Sequence, residues 1–431
     1  MLDAFSRREF LAAAVAAGTA VRFQGPISAA GPDQPSETRS PNEKLNLGVI
    51  GVAARGGANL DGVSGENILV LCDIDQQRLA GAADKFPSAE TCNDFRRVFD
   101  RDDLDGVVVS TPDHMHAIPV AETLRRGWAA YCEKPLTHSL YEARLLQRLT
   151  AENKCTTQMG NQIHAGSNYR RVVEMIQAGV IGPVHRVHVW IGASDTMREV
   201  GLQVPDAENY DRWIGPAPYR PFHRDHYHFN WRYWWDFGGG NLTDFWCHYS
   251  DLAFWALDLK YPTTVVATGE PRDEAGLMPP NKLRVEYEYP ARSDQPPVHL
   301  TWYQGGWMPT GAEIYQKSSG VLFEGTAGRL LADYSTNKVF MQAGKEATAV
   351  EASIPDSIGH HAEWISAVKT GGATTSPFTY GGMLTESAHI GNISYRVGQK
   401  KLEWDAEQMR ATNCPEAANF VRREYRRGWT L

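Results

Sequence analysis

Cysteine is sparse in this chain, with six in 431 residues (Cys72, Cys92, Cys132, Cys155, Cys247 and Cys414) and no C-x-x-C pair among them. That spacing excludes a disulfide scaffold and offers neither a zinc knuckle nor a redox dithiol. Cys72 and Cys132 sit inside apolar runs, where a thiol behaves as a small hydrophobe, so most of the six are expected to be buried and unpaired. A polybasic run is also missing, and 43 Lys+Arg against 51 Asp+Glu leave a net charge of −8. Nothing there neutralises a phosphate backbone, which argues against a nucleic-acid partner and for a small substrate. With 42% hydrophobic residues, 39 Gly and 24 Pro, the composition is that of a globular protein long enough for two or three domains. It excludes disordered and collagen-like chains.

What the chain does have begins at its start. Ser6-Arg7-Arg8-Glu9-Phe10-Leu11 leads into an apolar run that ends near Val21, then Ser28-Ala29-Ala30. The run is about half of the ~20 residues a bilayer span needs, and small residues close it. Residues 1–30 resemble a twin-arginine signal peptide. That resemblance implies export of an already folded protein, cleavage after Ala30, a periplasmic or other extracytoplasmic location, and no stable membrane insertion afterwards. Residues 31–44, with Pro32, Pro35 and Pro41, read as a linker.

Residues 45–51 form a short apolar run ending in Gly51, followed by Val52-Ala53-Ala54-Arg55-Gly56. A strand, a tight turn and a helix start are expected, with backbone N–H groups presented to a pyrophosphate. The pattern is G-x-A-x-x-G, with Ala53 where a second glycine would allow the closest backbone approach. A second strand run, residues 68–73, ends in Asp73 about 20 residues later, where an acid accepts ribose hydroxyls and repels a 2′-phosphate. NAD is therefore favoured over NADP. Further apolar runs at residues 106–110 and 129–132 alternate with helical patterns, which implies a doubly wound parallel sheet.

Thr111-Pro112-Asp113-His114-Met115-His116 follows one of these strands and Glu133-Lys134-Pro135 the next. With these motifs the chain resembles the glucose-fructose oxidoreductase, inositol dehydrogenase and rhizopine-catabolism (Gfo/Idh/MocA) family. The resemblance implies that Thr111, Pro112 and His116 close over the nicotinamide side of the cofactor. It also implies that Glu133 and Lys134 contact the ribose and the reacting centre, and that Asn161 and Gln162 in the crossover at residues 159–164 lie near nicotinamide and substrate. With the turn residues Gly51, Ala53, Ala54, Arg55 and Gly56, and with Asp73, these make the expected cofactor set. No metal ligands are expected. A capping box at Ser139 and Glu142 starts the helix that closes this half.

From Val184 onward the pattern changes to alternation, as in Leu283-Arg284-Val285-Glu286-Tyr287, which suits an open, mostly antiparallel sheet with one wetter face. The expected fold class is therefore α/β plus α+β, with residues 45–165 as an NAD-binding Rossmann domain and 166–431 as a substrate and oligomerisation domain. The final helices are expected to return to the interface between the two. Between them, Gly238-Gly239-Gly240 turns the chain into a helix on which Asp244, His248 and Asp251, at i, i+4 and i+7, share a face. The family's glycine turn and D-x-x-x-H signature carry over onto Asp244 and His248.

Oxidising a secondary alcohol needs a base for the hydroxyl proton, and a histidine with an ordinary pKa near ~6.5 suits that role. The expected catalytic residues are His248 as acid/base, Lys134 as hydrogen-bond donor or proton relay, and Asp244 to orient them. Aromatics at residues 227–235 either stack on a sugar or pack a loop, and Arg232 either meets the substrate or braces that loop. The expected activity is an exported oxidoreductase moving a hydride between a sugar, polyol or glycoside and a tightly held NAD, in a homo-oligomer (dimer or tetramer) built through the second sheet. Two alternatives remain open here: an NAD-dependent glycosidase acting by transient oxidation and elimination, and a catalytically silent sugar or nucleotide sensor.

Overall fold

The computed structural model describes residues 43–192 and 205–431. The signal-like segment at residues 1–30 and most of the linker lie outside them. Continuous apolar runs make a six-stranded sheet in the order β3-β2-β1-β4-β5-β6. Its strands are β1 (Asn46–Ile50), β2 (Asn67–Cys72), β3 (Glu90–Cys92), β4 (Gly106–Val109), β5 (Ala129–Glu133) and β6 (Thr157–Gly160). All five pairings are parallel. In such a sheet both faces are covered, which is why β4 is apolar throughout, β5 is apolar up to Glu133, and both are fully buried. Helices α1 (Arg55–Gly62), α2 (Gln76–Ala83), α3 (Ala117–Arg125) and α4 (Leu140–Asn153) connect the strands. The Ser139–Glu142 capping box is formed at the start of α4.

After α5 (Ser167–Gln177), strand β7 (Val184–Trp190) opens a nine-stranded sheet. The chain then runs through α6 (Ala207–Ile214) and α7 (Gly240–Leu257) to β8 (Thr264–Gly269), β9 (Leu283–Tyr289), β10 (Val298–Gln304), β11 (Gly320–Gly325), β12 (Gly328–Ala332) and β13 (Asn337–Met341). Strands β14 (Leu402–Asp405) and β15 (Arg410–Ala411) complete the order β13-β12-β11-β7-β10-β9-β8-β14-β15. Only β7 and β10 pair in parallel; the other neighbours are antiparallel. Alternation is literal in β9, where Leu283, Val285, Tyr287 and Tyr289 are buried and Arg284 and Glu288 are exposed.

Two helices cross back. Trp364 of α8 (His360–Thr370) joins Leu47, Val49 and Val108 in the core on one face of the first sheet. Helix α9 (Phe378–Arg396) packs against α4 and α7, and its buried residues share one continuous core with both sheets. All six cysteines are unpaired, and only Cys92 is not buried. Among the described residues no helix is long and apolar enough to cross a membrane, and no cluster of His, Cys, Asp or Glu is arranged to hold a metal ion.

Candidate active site

The carboxyl ends of β1, β2, β4 and β5 open into one cleft of about 820 Å³, within the range of small-molecule sites. Gly51, Ala53, Ala54 and Arg55 line it from the first turn, Asp73 from the end of β2, Thr111 and Pro112 from the end of β4, and Glu133 and Lys134 from the end of β5. Gly51 adopts φ 85°, and a Cβ there would stand 2.6 Å from the carbonyl oxygen of Ser110.

Gly56, expected to touch the cofactor, does not line the cleft. A Cβ on it would lie 2.1 Å from the Gly51 carbonyl oxygen, so its bareness lets α1 sit against the turn. Strain falls one residue after the substituted glycine position: Ala54, at φ 51° and ψ −113°, holds a conformation suited to glycine.

Asp73 accepts the backbone N–H of Val52 at 3.1 Å and that of Asp75 at 3.0 Å. Burial raises its carboxyl pKa, against the pull of those two donors. A carboxylate has about four acceptor positions, so about two remain for a ligand. Thr111 contributes a hydroxyl oxygen that is buried without a partner. A positive-φ turn against β4, an acid after β2 and an orphaned hydroxyl at the nucleotide loop are features that fit a dinucleotide.

Three expected cofactor contacts are displaced. His116 is 1% exposed and wedged between two carbonyl oxygens, Nδ1 at 2.8 Å from Pro135 and Nε2 at 2.8 Å from Thr111. It ties the two cleft loops together from behind, and burial pushes its pKa down to about 4. Asn161 is fully buried, donating to Asp251 at 3.1 Å and accepting from Ser376 at 2.7 Å. Gln162 donates to Glu133 at 2.6 Å and to the Tyr131 hydroxyl at 2.9 Å. Neither lines the cleft; both side chains are spent on these partners. Glu133 keeps its place in the wall, but its carboxylate also takes the Asn59 amide at 2.9 Å.

The three expected catalytic residues do meet. Lys134 and Asp244 are 110 positions apart, yet Lys134 Nζ donates to Asp244 Oδ1 at 2.5 Å and to its backbone oxygen at 2.7 Å. Arg232 Nε approaches the other carboxylate oxygen at 3.5 Å, with its guanidinium stacked 4.3 Å above the Trp231 ring. Burial alone would raise the Asp244 carboxyl, but Lys134 and then Arg232 hold it well below the usual carboxylate range. His248 lines the same wall, with Nδ1 buried and without a partner. Its pKa is not the ordinary one expected from the sequence: burial, then the Lys134 charge, push it down to about 3 against the attraction of Asp244.

Asp251 does not share the site. Two turns along α7 from Asp244, about 10 Å further, it is fully buried against His164 Nδ1 at 3.0 Å and the Tyr380 hydroxyl at 2.6 Å.

The aromatic run packs the loop, and part of it also faces the cleft. Tyr227 and Trp231 pack a small satellite core with Tyr210, Trp213 and Phe237, while His228, Phe229 and Trp231 also line the cleft. Sequence reasoning passed over Asp113, Phe95 and Trp213 as wall residues. Asp113 stood in a quoted motif; the other two carry no local signal.

A parallel sheet in this order, with a glycine turn after β1 and an acid after β2, is an NAD-binding Rossmann domain, here joined to a mostly antiparallel sheet domain. Two family descriptions match: "Oxidoreductase family, NAD-binding Rossmann fold" over residues 45–161 and "Oxidoreductase family, C-terminal alpha/beta domain" over residues 177–295. Together they span more than half of the chain, which belongs to the Gfo/Idh/MocA oxidoreductase family.

Inositol 2-dehydrogenase of Rubrobacter xylanophilus is 28% identical over 149 residues, 33% of this chain and 43% of that protein. Glycosyl hydrolase family 109 protein 1 of Shewanella sp. (strain ANA-3) is 28% identical over 152 residues, 32% of this chain and 33% of that protein. The chain thus matches less than half the length of these curated relatives. The WlbA dehydrogenase from Bordetella pertussis, solved with NADH and UDP-GlcNAcA, shares the fold at a TM-score of 0.62 and 13% identity, over 84% of this chain and 99% of that one.

Proposed function

We propose that the protein is an exported oxidoreductase that transfers a hydride between a hydroxyl-bearing carbon of a sugar, polyol or glycoside and a tightly held NAD. The observation that carries this reading is the meeting of Lys134, Asp244 and His248 in the wall of the cleft formed by the nucleotide loops. Bound NAD supplies the hydride acceptor. Lys134 has three N–H donors and spends two on Asp244, leaving one for a substrate oxygen. Asp244, ionised and braced by Arg232, fixes where that donor points. His248 is unprotonated throughout the neutral range and can accept a hydrogen bond from the substrate hydroxyl; with its pKa pushed down to about 3 it is a weaker base than the ordinary imidazole expected from the sequence.

Export rests on the Arg7-Arg8 motif and the apolar run after it. A cofactor carried out with the folded protein would have to be regenerated in place. The first test is to purify the mature protein without added nucleotide, denature it and quantify what is released. Near-stoichiometric NAD or NADH is the expected result; NADP would refute the reading of Asp73. The N-terminal residue of that same preparation checks cleavage after Ala30, and light scattering checks for a dimer or tetramer.

The glycosidase alternative draws support from the family 109 relative. Incubation with aryl glycosides separates it, because net aglycone release without any added oxidant excludes a simple dehydrogenase. Unchanged turnover in both Lys134→Ala and His248→Ala would sink the catalytic assignment, whereas no turnover of any sugar, polyol or glycoside by the parent chain would favour the silent sensor.

A further inference from the structure

The last residues of the chain run across the cleft along a fixed path. Arg423 Nε donates to Glu142 at 2.7 Å and its Nη2 to the His114 carbonyl oxygen at 2.5 Å, while the Tyr425 hydroxyl donates to the same Glu142 oxygen. Glu142 is the capping-box residue of α4, so the tail is tied to a helix start that is already rigid. Arg426 carries the anchoring to the end of α6: its N–H donates to the Pro216 carbonyl oxygen at 3.0 Å, Nε to that of Gly215 at 3.1 Å and Nη2 to that of Asp211 at 3.0 Å.

A tight turn follows. The Trp429 N–H donates to the Arg426 carbonyl oxygen at 3.1 Å, and Gly428, third of the four turn residues, has φ 91°. A turn with positive φ at that position asks for glycine, so Arg426-Arg427-Gly428-Trp429 encodes the placement of the indole.

Trp429 arrives at the end of the cleft reached by β2 and β3. It lines the wall with Asn93, Asp94 and Phe95, and its ring stacks on that of Phe95 with centroids 6.1 Å apart and planes 27° from parallel. Asn93 donates to the backbone oxygen of Asp73 at 2.7 Å, which places this aromatic pair beside the acid that faces the adenosine ribose in a Rossmann site. The Arg96 guanidinium stands over the Trp429 ring, 5.5 Å from its centroid, and the indole is half-buried.

We propose that the C-terminal tail is part of the nucleotide site and that Trp429 offers its face to an adenine ring; the proposal rests on the NAD reading given above. Tail and cofactor then stabilise each other: the anchored turn presents a stacking surface without further ordering, and adenine covers the part of the half-buried indole that remains exposed. Base–aromatic stacking of this kind changes affinity by about tenfold or more on truncation to alanine.

The test titrates the full mature chain, stripped of nucleotide, with NAD and with ADP-ribose, which keeps the adenosine half but cannot take a hydride. Trp429→Ala is expected to weaken both ligands about tenfold, with Trp429→Phe recovering most of the loss. Gly428→Val keeps the indole but forces a branched residue to positive φ, and is expected to weaken ADP-ribose as Trp429→Ala does. Unaltered ADP-ribose affinity in Trp429→Ala overturns the proposal and leaves the oxidoreductase reading intact. A parent chain that binds neither ligand overturns the NAD reading, and this proposal with it.

Discussion

The two ends of the cleft are built on opposite principles. At the β5 end the wall is ionic: Lys134, Asp244 and Arg232 form a compact charged array, with the unprotonated His248 beside it. At the β2 end the wall carries two acids, Asp73 and Asp94, beside the aromatic pair Phe95 and Trp429. Charges held in fixed positions stabilise changes of charge during a reaction, whereas a flat apolar surface recognises a ring that does not react. Under the proposed function, the division gives chemistry to one end and retention of the nucleotide to the other.

The largest effect should come from breaking the ionic end. Lys134→Met removes the donor and leaves Asp244 facing Arg232 alone; turnover of any accepted sugar should fall by about a thousandfold, measured by single-turnover hydride transfer. The same variant removes a charge that depresses His248, so its imidazole pKa, followed by NMR, should rise from about 3.

Acidification sharpens the comparison next. His114, His116 and His360 are buried behind the loops after β4 and around β6, with pKa values pushed down to about 3, 4 and 3 by burial. The unfolded chain binds these protons near pH ~6.5 and the folded chain does not. Stability is therefore complete above that pH and is lost as pH falls below it, by up to about 1.4 kcal/mol per pH unit per histidine. Hydrogen-exchange protection factors should fall between pH 7 and pH 5 in the loops after β4 and β5, where His114 and His116 are packed.

A smaller change is expected at the β2 end itself. Asp73→Ser should lower the preference for NAD over NADP by about tenfold, measured as a ratio of binding constants. The smallest concerns the turn between the ends: Ala54→Gly should relieve strain at φ 51° and stabilise the ligand-free protein by about 1 kcal/mol or less, read as a rise in Tm.

Much of the first domain was legible because its signals are local. Strands β1, β2, β4 and β5 are unbroken apolar runs, and the loops that follow them carry the motif residues. The short β3, with exposed Glu90 and Thr91, has no apolar run and escaped notice. Site residues were less legible because a motif shows where the chain passes, not where a side chain points. His116 and Asn161 stand in the right loops but turn away from the cleft, each satisfying buried polar groups that would otherwise be orphaned. Asp251 follows the helical face correctly and still misses the cleft wall: less than one turn beyond His248, its carboxylate is taken up by Asn161, His164 and the Tyr380 hydroxyl.

By itself the sequence determined the class of fold, four of the six strands in the nucleotide half with the turns that follow them, and which loops carry chemically capable residues. Periodicity, glycine turns and caps act over a few residues and need no distant partner. Tertiary structure alone decided that Lys134 is paired with Asp244, that α8 covers the first sheet, and that the tail ends beside Phe95. Those contacts join segments 100 residues or more apart, and they exist only because both sheets and α9 share one close-packed core.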